Sequence, residues 1–496
     1  MSSPADVTIK NLTDKELTTH VTRDYWVEGD GKTINNKTIA AGAQETFRVV
    51  AKTGHHGELD INLADPSETL GQFKIKSIKD PHNKGALETK PFVDYIKMTS
   101  SGERSSPSDK DLRRIEMEMS YKPSDTSGWD IVCASQKSFI NEKLNSLYKQ
   151  DVLPHKFKEV NIGCPQIVGG NENKQEEVKI SLPLDGKITL AKISGTCEFT
   201  VNLNHINCHI TNTDDAQYTL LLDLSGNILR EVDLSGLEVK FLGKEVPTEQ
   251  LQEVILKLVN EAFNAMEPLE VPFTSPLPFS LGDMTIRLAF VSNSDEPERS
   301  FLAILIGLQG NKGFYKLSKD LICNSPQTNT AFVLAHPLFM NICKDVLNTS
   351  LGDGFGFSIS NTNPNKITNS KKKTLKDGGF WGINAEIKKD DFVFELTSEG
   401  NLKVDIKLRY QTSKLLPWSS VKIKLNIKPS TKNGQVVLDI SGAGKPPWWL
   451  WVVLPPLALA LDLILSKDGK IELTIPGFYC DQILIPGNVK ICGKWD

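Results

Sequence analysis

Residues 446–461 read Pro-Pro-Trp-Trp-Leu-Trp-Val-Val-Leu-Pro-Pro-Leu-Ala-Leu-Ala-Leu, an uncharged apolar run in a chain whose mean hydropathy is -0.25. Such a segment must be buried in a core, sunk into a lipid interface or covered by a partner, so it limits the possible folds more than any other stretch. It is too short to cross a bilayer as a helix, which takes about 20 apolar residues, and Asp462 follows at once. Pro455 and Pro456 lack an amide hydrogen and clash with the preceding turn, so no continuous helix runs through them. Two readings remain. One is a buried strand or short helix. The other is a tip that enters a membrane interface, or docks on a partner, through Trp448, Trp449, Leu450, Trp451 and Leu454.

The remainder is ordinary globular material. A length of 496 residues, with 39% hydrophobic and 24% charged, fits two or three soluble domains. A net charge of -4 gives no electrostatic basis for nucleic-acid binding. The start, Met-Ser-Ser-Pro-Ala-Asp, has neither a basic n-region nor an apolar h-region, so no secretory signal is expected. The eight cysteines are scattered, as in a reduced protein; Cys480 and Cys492 are close enough to pair under oxidising conditions, which leaves that pairing open.

Residues 1–122 alternate in short runs, among them Val7-Thr-Ile9-Lys-Asn11, Thr46–Val50, Gly57–Leu63, Phe73–Ile78 and Ile115–Met119, separated by turn clusters such as Gly54-His55-His56-Gly57. This pattern predicts a β-sandwich. Residues 123–496 combine strands with three helical patterns: Ser138–Tyr148, Pro247–Met266 and Phe332–Leu347, the last with Pro337 in or just before its first turn. Expected strands include Glu198–Ile210, Tyr218–Leu224, Thr285–Phe290, Phe392–Leu396, Leu402–Leu408, Val421–Ile427 and Lys470–Ile475. The fold class is therefore mostly β with a few long helices (α+β), with curved antiparallel sheets wrapped around helices and room for two subdomains after residue 122.

No catalytic, cofactor or metal set stands out. Cys197, His205, Cys208 and His209 resemble a zinc group. On one continuous strand, however, His205 and His209 would lie about 13 Å apart and Cys208 would face the other way. Ser441-Gly-Ala-Gly-Lys445 lacks the earlier glycine and following Ser or Thr of a phosphate loop, and reads as a hinge into the tryptophan run. Neither a Gly-x-Ser-x-Gly elbow nor a His-Glu-x-x-His pair occurs. Lys366, Lys371, Lys372, Lys373 and Lys376 fall in a polar stretch that reads as a solvated loop. On a shared face with the tryptophans, Lys371, Lys372, Lys373 and Lys376 would contact anionic lipid, at about 1 kcal/mol per lysine.

Gly128-Trp-Asp-Ile-Val132 with Ile140-Asn-Glu-Lys-Leu144, Ala331-Phe-Val-Leu334 before a helix, and Phe380-Trp381 before a strand together resemble the "47-kilodalton protein" and OrfX family of bacterial toxin gene clusters. The likeness covers about residues 125–496. It implies a TULIP-type fold, a curved sheet around a long helix, and an accessory role that binds lipid or a membrane. Residues 1–122 more weakly resemble the aegerolysins, at Ile39–Gly42 through Phe47, Gly54–Glu58 and Ile78–Asn83. Lys79 stands where that family carries a tryptophan before the Asp-Pro-type turn, which puts lipid specificity in doubt.

The expected function is thus a non-enzymatic lipid- or membrane-binding component of a bacterial toxin system, insecticidal in one variant. Its partners would be a lipid surface and other proteins of the same operon. It would lie in the cytoplasm of the producing bacterium, or be released without a signal peptide, and act at target-cell membranes. A protein–protein scaffold without a lipid ligand is the alternative, and a hydrolase the third.

Overall fold

The computed structural model describes residues 3–495 apart from isolated positions or pairs and the segments 30–33, 79–86, 105–111, 246–250, 275–283, 378–383, 444–469 and 474–477. It divides into two compact units, Met1–Ser124 and Asp125–Asp496. Strands predominate in both, and three α-helices are described, all in the second unit.

In the first unit, period-two alternation builds two five-stranded sheets. One runs Val27–Gly29, Gln44–Ala51, Ser3–Asn11, Leu112–Tyr121, Ile96–Arg104; the other runs Thr38–Ile39, Leu17–Tyr25, Glu58–Ala64, Thr69–Ile75, Leu87–Pro91. Every pairing is antiparallel except that of Ser3–Asn11 with Leu112–Tyr121, where Ile9 lies beside Met117. The inward residues Val7, Ile9, Ile115 and Met117 of one sheet and Leu59, Ile61, Phe73 and Ile75 of the other are fully buried. The sheets approach closely at Gly71, where a Cβ would come within 2.3 Å of the Met98 sulfur. Asn11 closes one end. Its Nδ2 donates to the carbonyls of Lys15, Ile39 and Ala40, and its Oδ1 accepts from the Thr13 amide and hydroxyl. The Ser100–Asp109 stretch, linker-like in composition, contributes its first half to the strand Ile96–Arg104.

The second unit is organised by a six-stranded sheet in the order Met284–Val291, Phe301–Leu308, Ile131–Gln136, Thr330–Leu334, Val489–Trp495, Phe478–Leu484. One face, with Val132, Ala134, Ala303, Leu305, Ala331 and Val333, packs against Leu317, Leu321 and Ile322. The opposite face serves two lobes. Leu288 and Phe290 join the core of the first, in which α2 (Gln252–Asn264) buries Ile255, Leu258, Val259, Ala262 and Phe263 against the long strands Lys174–Ile188 and Ala191–Asn202. Buried Asn260 ties α2 to the backbone of Leu229 through its amide oxygen. Ile131, Ile306 and Leu334 join the second lobe, where α3 (His336–Leu351) packs on Phe357, Ile367, Phe392, Phe394, Ile406 and Ile423.

The helix α1 (Lys137–Lys149) matches its expected position and is held to the first lobe by Asn141, which bonds both the amide and the carbonyl of Ile167. Other boundaries differ. The third helix begins at His336, because Phe332 and Val333 belong to the strand Thr330–Leu334. Glu198–Ile210 is two strands, since Asn202 caps a short 3-10 turn over Leu203–His205. Ser441, Gly442 and Ala443 end the strand Gln435–Ala443 and are not a hinge. The lysine stretch is likewise not a free loop: Lys366 lies in Asn363–Asn369, and Lys373–Lys376 is itself a strand.

Cys492 bonds Cys323, 169 residues away, and Cys480 is a free, buried thiol. The link fastens the layer bearing Leu317–Ile322 to the strand Val489–Trp495. Chain-entropy reasoning gives a loop of this length up to about 5 kcal/mol, with 2–4 typical. Reduction, or Cys323→Ser, should lower the melting midpoint of the second unit, and reductant should then have no further effect on the variant; identical melts of oxidised and reduced protein would contradict the assignment. His336 gives a pH dependence. It is buried, its Nε2 has no partner, and burial holds its pKa below 6.5 against a smaller opposing contact from Asn365. Because the unfolded chain binds the proton more readily, stability should be complete above 6.5 and decline as pH falls below it. Urea midpoints measured from pH 7.5 to 5 should show this slope, weaker in His336→Gln.

Candidate functional site

The second lobe carries a sheet in the order Phe357–Ser360, Asn363–Asn369, Asn384–Leu396, Leu402–Gln411, Ser419–Lys432, Gln435–Ala443, Lys470–Leu473, with Lys373–Lys376 also paired to Asn384–Leu396. Its register fixes what meets at each end. Lys376 lies beside Ala385, Ala385 beside Tyr410, and Tyr410 beside Ser419. Gln435–Ala443 runs toward this same end, with Lys432 opposite Gln435 and Ala443 opposite Lys424, and Lys470–Leu473 pairs back along it from Asp439. Three connections therefore start from one end of the sheet: 377–383, 412–418 and 444–469.

Their sequences are alike in chemistry. The first contains Phe380-Trp381, the second Leu415-Leu416-Pro417-Trp418, and the third the run at 446–461, so five of the eight tryptophans fall in these three connections. Trp448, Trp449, Leu450, Trp451 and Leu454, like Trp381, lie outside the described residues. The hairpin tip is described apart from Leu416. Leu415 is 64% exposed and Trp418 45%. By contrast Trp129 is buried and donates its indole N–H to the Phe314 carbonyl, and Trp495 packs edge-on against Phe478. Sequence reasoning passed over Leu415–Trp418, although an apolar Leu-Leu-Pro-Trp between two alternating strands, Leu402–Leu408 and Val421–Ile427, is a readable sign of an exposed hairpin tip.

The lysines proposed for anionic lipid are divided by strand geometry. Lys372 pairs with the buried carboxylate of Glu386 at 2.5 Å. Lys373 lies over the ring of Phe355, 5.8 Å from its centroid, and Lys371 is exposed. Lys376 is placed by its backbone at the aromatic end. Of the four, exposed Lys371, which precedes this strand, has no such contact among the described residues, and the side chain of Lys376 lies outside them.

The apparent zinc group does not assemble. His205 sits in the turn Leu203–His205, with Nε2 against the Arg230 guanidinium and Nδ1 3.4 Å from the Gly226 carbonyl. Burial pushes the Cys197 thiol up to about 12 and the Cys208 thiol to about 11. Among the described residues no group of three or more His, Cys, Asp or Glu is placed to hold a metal. An open cleft of about 270 Å³ lies on the first lobe, lined by Gly170, Asn171, Lys174, Glu177, Thr200 and Glu231 among others; its lining is polar, with Lys174 and Glu177 paired at 3.1 Å.

No family model matches the chain, and no curated protein matches it. Among solved structures, it is similar to P47 from Clostridium botulinum A2 at 13% identity and a TM-score of 0.47, over 74% of this chain and 97% of that one. A lipopolysaccharide binding protein aligns at 7% identity and a TM-score of 0.25, over 74% and 99%. IP-1A from Alcaligenes faecalis aligns at 11% and 0.20, over 24% and 91%. These are coarse likenesses.

Removing Lys372 would leave the Glu386 carboxylate buried and unpaired, at a cost of about 1–3 kcal/mol. Lys372→Ala should therefore lower the urea midpoint clearly, while exposed Lys371→Ala should change stability by less than about 0.5 kcal/mol. Equal effects would show that the Glu386 pairing is not formed.

Proposed function

We propose that this chain is a non-enzymatic protein that seats the aromatic end of its second-lobe sheet in a lipid interface, as an accessory or component protein of a bacterial toxin system. The observation that carries this reading is that three connections whose sequences contain tryptophan start from one sheet end, with Leu415 and Trp418 exposed at the middle one. Tryptophan favours the headgroup level of a bilayer because its ring is apolar and its N–H remains able to bond. Transfer of a half-exposed Leu or Trp out of water is worth about 1–2 kcal/mol, so several such residues acting together suffice for reversible attachment. Among the described residues no helix is long and apolar enough to cross a membrane, and interfacial seating by hairpin tips requires none. The toxin-system context rests on the resemblance of Gly128–Val132 and Ile140–Leu144 to the OrfX and 47-kilodalton family.

Flotation with phosphatidylcholine vesicles, with and without phosphatidylserine, tests the reading. The intact chain should rise with vesicles. Trp418→Ala should weaken partitioning about three- to tenfold, and Trp448→Ala with Trp449→Ala should weaken it further. Failure of the intact chain to float with either composition, together with stable co-purification with a protein encoded nearby, would replace this reading with the scaffold one. A broad esterase and glycosidase screen should be silent; substrate turnover would overturn the non-enzymatic assignment.

A further inference from the structure

The outward face of the same sheet carries a second pattern. Inward residues of Leu402–Gln411 and Ser419–Lys432, such as Ile406, Leu408 and Ile423, are buried against α3, which leaves the alternate positions facing solvent. Those positions hold Lys403 and Lys407 on one strand and Lys422, Lys424 and Lys428 on the next. The register sets Lys407 directly opposite Lys422 and Lys424 opposite Asp405. None of the five lysines carries an ion pair among the described residues, whereas the neighbouring cations do: Arg409 bonds Asp391 at 3.2 Å, and Lys372 bonds Glu386. Glu395, Asp405 and Asp439 share the face, so positive charge remains in excess.

Lysine on an edge strand is common, because it blocks association of open sheet edges. These two strands are interior to the sheet, with hydrogen-bonded neighbours on both sides, so that explanation does not apply. Like charges directly opposite on paired strands also oppose folding. An anionic ligand over Lys407 and Lys422 would remove this repulsion. The lysines extend from three residues beyond the Ser419 end to Lys428, a span of about 20 Å, starting beside the aromatic tip.

We infer that this lysine face is a docking surface for the anionic headgroups of a phospholipid bilayer, engaged when the aromatic end seats in the interface. The inference rests on the membrane reading above and adds the lipid class and the face that recognises it. It also moves the anionic contact away from Lys372 and Lys373, whose charges are already committed.

The test compares partitioning of the full chain onto phosphatidylcholine vesicles with and without phosphatidylserine, in sodium chloride and in sodium phosphate of equal ionic strength. The intact protein should bind the mixed vesicles about tenfold or more tightly, and high salt should erase the difference. Lys407→Glu with Lys422→Glu preserves a like-charged pair in the fold and should abolish the phosphatidylserine increment while leaving binding to phosphatidylcholine unchanged. Lys422→Gln with Lys424→Gln provides a milder second variant that should lose part of it. Retention of the full increment by both variants would overturn this inference and leave the aromatic reading intact. Loss of the increment in phosphate but not in chloride would show that free phosphate competes for the face, which supports the headgroup phosphate as the group it recognises. Absence of binding to either vesicle by the intact chain would remove both proposals.

Discussion

The second unit depends on a sheet whose two faces are both buried. Ile131–Gln136 lies inside it, paired with Phe301–Leu308 on one side and Thr330–Leu334 on the other. Its alternate residues point into different cores: Val132 and Ala134 under the layer carrying Leu317–Ile322, Ile131 toward the α3 lobe. The entry to this strand is tightly specified. Gly128 adopts a positive φ of 81°, Trp129 is buried, and the Asp130 carboxylate accepts from the Leu308 amide at 2.7 Å and from Asn311 at 3.0 Å. A Cβ on Gly313 would come within 2.4 Å of the Trp129 ring. The Gly-Trp-Asp motif is therefore structural: it anchors the strand on which both lobes are built.

That architecture explains what the sequence disclosed and what it hid. Where one face is dry and the other wet, the pattern was plain. The alternation of Leu402–Leu408 and Val421–Ile427, the spacing of Ile255, Leu258, Val259 and Ala262, and the sandwich strands of the first unit were all legible for that reason. Phe332 and Val333 are buried or nearly so within a strand covered on both faces; with no polar side to reveal the period, they merged into the helix that starts four residues later. The partnership of Cys492 with Cys323 was equally hidden, because distance in sequence carries no information about strands brought together by a sheet of mixed sequence order.

The candidate site was half legible. Composition alone marked 446–461 as exceptional, yet no sequence pattern says which end of a sheet a connection leaves from. Registry supplies that, by aligning Lys376, Ala385, Tyr410 and Ser419. The same registry corrects the lysines. In the sequence cluster Lys371–Lys373 only Lys373 lies in a strand, over the Phe355 ring, and Lys372 before it pairs with Glu386, whereas Lys407 and Lys422, far apart in sequence, lie directly opposite on neighbouring strands. Charge clustering in space follows the pleat and not density along the chain.

The strand Val489–Trp495 sits between Thr330–Leu334 and Phe478–Leu484, with Gly493 beside Thr330. One edge of Thr330–Leu334 therefore stays open until a strand far downstream in the chain has been made. Until that strand emerges, Thr330–Leu334 has an unpaired edge and the Trp-bearing connections have already been synthesised, so the nascent chain presents open backbone and apolar surface together. Closure of such distant pairings is slow, and exposed edges invite association. The principal sheet of the second unit consequently cannot complete until Val489–Trp495 has left the ribosome, and its yield in any host should depend on the holdases that meet the chain before that strand is in place.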